Sequence, residues 1–135
     1  MRFLMMVKGN DDYEAGKPPS PELMAAIGAL AQEAMASGKL LMQEGLKPSS
    51  AGWRLGLAKG RRYAVDGPFA ETKEVIGGFA LFELDSPAEA LAMAQRFVDA
   101  HLAAGIRDMS MEVRQLYGPG DFGCVGEAEA QAQTA

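Results

Sequence analysis

Read for alternation and helical spacing alone, the chain divides into a strand–helix–strand unit, a hairpin and a second strand–helix–strand unit. The apolar run Arg2-Phe-Leu-Met-Met-Val7 predicts a buried strand, and the breaker-rich stretch from Lys8 to Pro19 a loop. Ser20 then offers a helix N-cap, with Pro21 at the first helical position and Glu22 near the positive helix end. Leu23, Ile27, Leu30 and Ala34 form its stripe, Met24, Ala31 and Met35 widen it, and Gly38 stops it. Lys39 to Glu44 reads as a second strand. Trp53 to Ala58 and Arg61 to Asp66 are strands joined at Lys59-Gly60, a hairpin turn. Gly78 to Leu84 is another strand. Ser86-Pro-Ala-Glu89 is a capping box that starts a second helix with the stripe Leu91, Ala94, Val98 and Leu102, flanked by Phe97 and closed by Gly105. Met109 to Tyr117 alternates as a last strand.

Without its hairpin this order is the ferredoxin-like one, an α+β fold in which two helices cover one face of a four-stranded antiparallel sheet. The other face of such a sheet is polar in a monomer. Here it is not. Phe3, Met5 and Val7 oppose Leu4 and Met6, and Phe79 and Leu81 oppose Ala80, Phe82 and Leu84. Both faces are apolar, so the pattern predicts that a second copy packs its own sheet against this one across a two-fold axis. Glu44, Glu83, Glu112 and Arg114 are the polar exceptions on these strands. Charges in a sheet-to-sheet layer need partners or water, and a cleft lined by a few of them suits a small ligand. Rim salt bridges are the plainer reading.

Composition narrows the classes. At 135 residues, 48% hydrophobic and 23% charged, the chain is one globular domain of about 1–117. Residues 118–135, rich in Ala, Gln and Glu, predict an extended or disordered tail. A net charge of −5 argues against nucleic acid as a partner. The absence of a long apolar run argues against a membrane span, and a cytoplasmic location is the expectation. One cysteine, Cys124, and one histidine, His101, exclude a disulfide and a Cys- or His-rich metal site, so no metal or cofactor is expected. His101 reads as a surface residue near a helix end, and Trp53 as packing on the domain or on a dimer partner.

One segment is specific: Val65-Asp66-Gly-Pro-Phe69-Ala-Glu71-Thr-Lys73-Glu74, followed by Gly77-Gly78. It resembles the DGPF branch of the YCII-related domain family. Met5-Met-Val-Lys8, Ser20-Pro-Glu-Leu23, Glu44-Gly-Leu46-x-Pro48, Ser86-Pro-Ala-Glu-Ala90 and Glu112-Val-Arg-Gln115 agree with it, so the resemblance covers residues 1–117. It implies the dimeric α/β-barrel superfamily, which also holds small-ligand enzymes such as muconolactone isomerase and small monooxygenases. It implies a link to extracytoplasmic-function sigma factors, with which some members are encoded or fused. Another branch has been proposed to use a His-Asp pair; this chain has no histidine in its early part, so that proposal does not carry over.

Asp66 ends a strand before a sharp turn, and three roles are open to it. Its carboxylate can accept backbone N–H bonds of the turn, act as a general base in a cleft, or pair with Lys73 or Arg62. Phe69 is expected to anchor the loop by its ring, while Glu71 and Glu74 flank Lys73 on a short helical turn. In the family's signature this loop is expected to close over the cleft. The candidate catalytic residues are therefore Asp66, Lys73 and Glu44, and the candidate ligand contacts are Lys8, Phe69, Glu71, Glu112 and Arg114. The leading reading is a homodimer that binds a small molecule in the inter-sheet cleft, with cofactor-independent acid/base chemistry at Asp66. The alternatives are a non-catalytic module linked to sigma-factor regulation, and a loop that only locks the fold and the dimer.

Overall fold

The computed structural model describes residues 1–121, with the side chain of Lys73 excepted. The expectations for Cys124 and most of the tail therefore concern residues outside those described, and so does any contact of the Lys73 side chain. The elements are β1 (Arg2–Lys8), α1 (Asp11–Glu14), α2 (Pro21–Ala36), β2 (Leu40–Gly45), β3 (Trp53–Ala58), β4 (Arg61–Asp66), β5 (Ile76–Glu83), α3 (Pro87–Ala103) and β6 (Met111–Gln115). Short 3-10 turns occupy Ser49–Ala51 and Thr72–Glu74. β2, β5, β1 and β6 form one sheet in that order, every neighbouring pair antiparallel, and β3 and β4 form a separate two-stranded sheet. This is the ferredoxin-like arrangement with a hairpin between its halves. Among the described residues, no helix is long and apolar enough to cross a membrane.

The helix starts follow the local chemistry. Ser20 Oγ accepts from Leu23 N–H at 3.2 Å, and Ser86 Oγ accepts from Glu89 N–H at 3.1 Å. The reciprocal half of the second box reaches one residue further back than the motif requires: Glu89 accepts from Asp85 N–H at 3.1 Å. Glu89 also pairs with Lys39 across to the start of β2, and these two contacts hold its carboxyl below the usual carboxylate range. Lys59 and Gly60 both take positive φ, 52° and 76°, the turn that matches the twist of a two-residue hairpin.

Phe3 and Met5 of β1, Leu40, Phe82, Leu84, Ala34 of α2, and Ala90 and Ala94 of α3 make the core, so both long helices lie on one face of the sheet. Arg96 grips Glu33 through both guanidinium nitrogens, at 3.2 and 2.7 Å, and ties α3 to α2.

The helix phases differ from expectation. On α3 the buried residues are Ala90, Ala94 and His101, while Leu91 and Leu102 are 59% and 63% exposed. On α2, Met24 and Met35 face away from the core. Periodicity favours the stripe of larger apolar side chains, but a helix laid close on a sheet needs small residues beneath it, and the alanines occupy that contact. His101 is a further correction. It is 8% exposed, its ring lies 4.7 Å from that of Phe97, and its Nδ1 donates to the Phe97 carbonyl at 2.9 Å. An imidazole with a hydrogen-bond partner one turn back can be buried, which exposed-face logic does not anticipate.

Candidate functional site

The pairing register defines the second sheet face. Across it runs a row Glu44, Phe79, Met6, Glu112, and beside it a row Met42, Leu81, Leu4, Arg114. The middle strands contribute apolar side chains and the outer strands charges. Neither long helix packs here, since the core residues lie on the opposite face. At the β6 edge the charges cluster. Lys8 Nζ lies 3.8 Å from Glu112 Oε1, and Arg114 Nη1 donates to Glu112 Oε2 at 3.3 Å. Glu44 belongs to the other edge. Strands lie about 4.8 Å apart, so three spacings put it roughly 14 Å from Glu112. The two carboxylates thus share a row without forming an acid–base pair within one sheet.

The DGPF segment gathers with other turns at the end of the sheet where β1 and β2 finish and β5 and β6 begin. Gly9 N–H donates to the Val75 carbonyl, Leu46 N–H to Gly77, and Lys8 N–H to Ser110, which ties these turns to the strand ends. The key group here is Ser49, 6% exposed. Its Oγ donates to Glu14 Oε2 and accepts from Phe69 N–H at 3.0 Å, while its backbone N–H donates to Glu14 Oε1 at 2.9 Å. Gly67 N–H donates to the Gly52 carbonyl at 3.0 Å, and Gly67 itself lies against the Ser49 carbonyl. Phe69 is half-buried, with the Arg54 guanidinium stacked 4.2 Å from its ring centroid.

Among the described residues Asp66 neither caps the turn nor pairs with Arg62; pairing with Lys73 falls outside them. Asp66 sits at the root of the hairpin opposite Trp53, exposed, and makes no side-chain hydrogen bond or ion pair among the described residues. The loop-fastening carboxylate is instead Glu14, on a helical turn where a loop was expected. Asn10 caps that turn by accepting from Tyr13 N–H at 2.8 Å. The signal was present as an Asn followed by two aspartates, a short capped turn hidden in a breaker-rich stretch. Glu71 and Glu74 are exposed around the 3-10 turn that carries Lys73. Among the described residues no group of three or more metal-ligating side chains occurs.

Tyr13 was also missed. Its ring fills the space left by Gly9 and Gly77, where a Cβ would come within 3.4 Å of it. Its hydroxyl is buried without a hydrogen-bond partner among the described residues. Burial, and then the Glu14 charge, push its pKa above the ordinary phenol value. An orphaned buried hydroxyl costs about 1–3 kcal/mol, so Tyr13→Phe is expected to hold or raise stability by about 1 kcal/mol in urea unfolding. Ser49→Ala should go the other way. It strips Phe69 N–H of its acceptor and Glu14 of one donor, an expected loss of about 2 kcal/mol by the same measurement.

A separate cavity of about 180 Å³ lies between the helices and the sheet, lined by Met5, Ile27, Ala31, Phe82 and Met93, with Arg96 also among its walls. It is on the opposite face from Lys8, Glu112 and Arg114.

Comparison with known proteins places the chain. A profile of the YCII-related domain matches residues 1–107. An uncharacterized protein of Rhizobium meliloti is 36% identical over 108 residues, covering 78% of this chain and 84% of that one. Among solved structures, the 5-chloro-2-hydroxyhydroquinone dehydrochlorinase of Burkholderia phenoliruptrix, in complex with 2,5-dihydroxybenzoquinone, superposes with a TM-score of 0.44 at 16% identity, covering 87% of this chain and 95% of that one.

Proposed function

The chain belongs to the YCII-related domain family, and from that premise we propose that it works as a homodimer that binds a small molecule between two facing sheets. The observation that carries this is the second sheet face, apolar along Leu4, Met6, Phe79 and Leu81 and ionic at the Lys8–Glu112–Arg114 edge. An apolar layer closed by a second copy leaves such an edge facing a partly dry cleft, where a few charges orient a ligand strongly. The fitting ligand has an apolar body and one polar end that the Lys8–Glu112–Arg114 cluster holds. The chemistry this site supports is proton transfer by carboxylates without a cofactor. Glu112 is engaged by two cations, which suits anchoring; Asp66 has no partner among the described residues, which suits a base.

The test is a thermal-shift screen of small phenols and carboxylic acids. A compound that raises the melting temperature should bind 10- to 100-fold more weakly to Glu112→Gln, since a charge-assisted hydrogen bond is worth about 1.5–3 kcal/mol. Asp66→Asn should bind it normally and lose turnover. A shift that survives Glu112→Gln and Arg114→Met puts binding elsewhere.

The alternative, a non-catalytic module tied to sigma-factor regulation, is favoured by one feature, the bare apolar hairpin. It is tested by co-purification with the sigma factor. Recovery of the self-dimer alone counts against it.

A further inference from the structure

The β3–β4 hairpin pairs only with itself, and its two faces are unlike. On one, Arg54 stacks on Phe69, and the Tyr63 ring lies over Gly56, where a Cβ would come within 2.7 Å of three of its atoms. On that face these contacts are made within the chain itself. The other aligns Trp53, Leu55 and Leu57 of β3 with Asp66, Ala64 and Arg62 of β4. Trp53, Leu55 and Leu57 are 68%, 66% and 77% exposed. A lone two-stranded hairpin is marginal in water, and one with three large apolar side chains bare on one face needs a cover.

We propose that this face is an arm that clasps a second copy of the same chain, lying along that copy's β2 edge beside the paired sheets. Charge chooses the occupant. Of the chain's 13 lysines and arginines, Arg54, Lys59, Arg61 and Arg62 lie on the hairpin, Arg62 on the apolar face, Lys59 at the tip and Arg54 and Arg61 on the other face; of its 18 acidic residues, only Asp66 does, at the root opposite Trp53. The remainder is strongly acidic, so a cationic arm meets a complementary body on an identical molecule. The β2 edge offers matching chemistry: Leu41 and Met42 are exposed, and Glu44 has no ion-pair partner among the described residues.

Size agrees. Six-residue strands make the arm about 20 Å long, the length of the six-residue β2 edge that it follows. The sheet face alone has a footprint of roughly 400 Å², half of the about 800 Å² per partner in a standard interface. One arm given and one received, at about 200 Å² each, supply the rest.

The inference rests on the homodimer reading, and Trp53 separates the two because it is the chain's single tryptophan. Sedimentation velocity and Trp53 fluorescence are read on the wild-type chain over the same concentration series. As the dimer forms, emission is expected to shift to the blue and acrylamide quenching to fall several-fold. A dimer whose Trp53 stays red and fully quenchable overturns the arm and leaves sheet-to-sheet pairing standing. A monomer at every concentration overturns both. Leu55→Ser with Leu57→Ser, at positions exposed in the single chain, should fold normally by circular dichroism and weaken the dimer at least 10-fold. An unchanged affinity also overturns the arm.

Discussion

Gly67→Ala is expected to destabilise the protein by about 3 kcal/mol and to loosen the loop it belongs to. A Cβ built on Gly67 would lie 1.7 Å from the Ser49 carbonyl oxygen and 2.5 Å from its carbon. Real Cβ atoms do not approach backbone so closely, so the two segments must part. They cannot part freely. Gly67 N–H is bonded to the Gly52 carbonyl, Phe69 N–H to Ser49 Oγ, and Ser49 to Glu14 on its other side. Separating Gly67 from Ser49 therefore strains or breaks this whole set of bonds. Overpacking alone costs about 1–3 kcal/mol, and losing one loop hydrogen bond brings the sum to the stated size. The requirement is one of space, since Gly67 is not among the positive-φ glycines. Urea unfolding of the variant reads the loss directly. A change under about 0.5 kcal/mol would show that the loop and the Ser49 turn are not in contact in solution.

Leu81→Lys is expected to dissociate the dimer with little effect on the folded chain. Leu81 sits in the middle of the open face, between Leu4 of β1 and Met42 of β2. In a single chain a lysine there reaches water. In a sheet-to-sheet dimer it is buried twice, far from Glu44 and Glu112 at the edges and on the same row as the cationic Arg114. An unpaired buried charge costs several kcal/mol, so about 4 kcal/mol across two symmetric sites raises the dimer Kd close to a thousandfold. Sedimentation equilibrium of the variant against the wild type measures it, with circular dichroism as the check on folding. A dimer of unchanged affinity would remove the facing-sheet reading and the cleft with it.

The placement of the candidate residues follows from two kinds of information. Glu112 and Arg114 share a face, opposite Met111 and Val113, because side chains alternate along a strand; alternation is local and visible in sequence. That Lys8 meets Glu112 is not local. It depends on β1 and β6 being neighbours at a given register, which order alone implies only through the fold. Glu14 and Ser49 are 35 residues apart, and no pattern in either segment announces that they meet. Asp66 shows the converse. A carboxylate before Gly-Pro reads as a turn cap, yet the turn's donors are taken by Ser49 and Gly52, and Asp66 has no partner among the described residues.

What the amino-acid sequence determined by itself was the element order, the helix caps, the hairpin turn, the family signature and the two-sided apolar character of the strands. Each rests on spacing within a few residues, where backbone geometry leaves little choice. Only the tertiary structure decided which helix stripe is buried, why Ala90 and Ala94 lie inside while Leu91 and Leu102 lie outside, that His101 is buried against Phe97, and that Ser49 and Glu14 fasten the loop. Those outcomes depend on how closely one surface approaches another. Close approach is set by shapes brought together from distant parts of the chain, so hydrophobic period alone does not contain it.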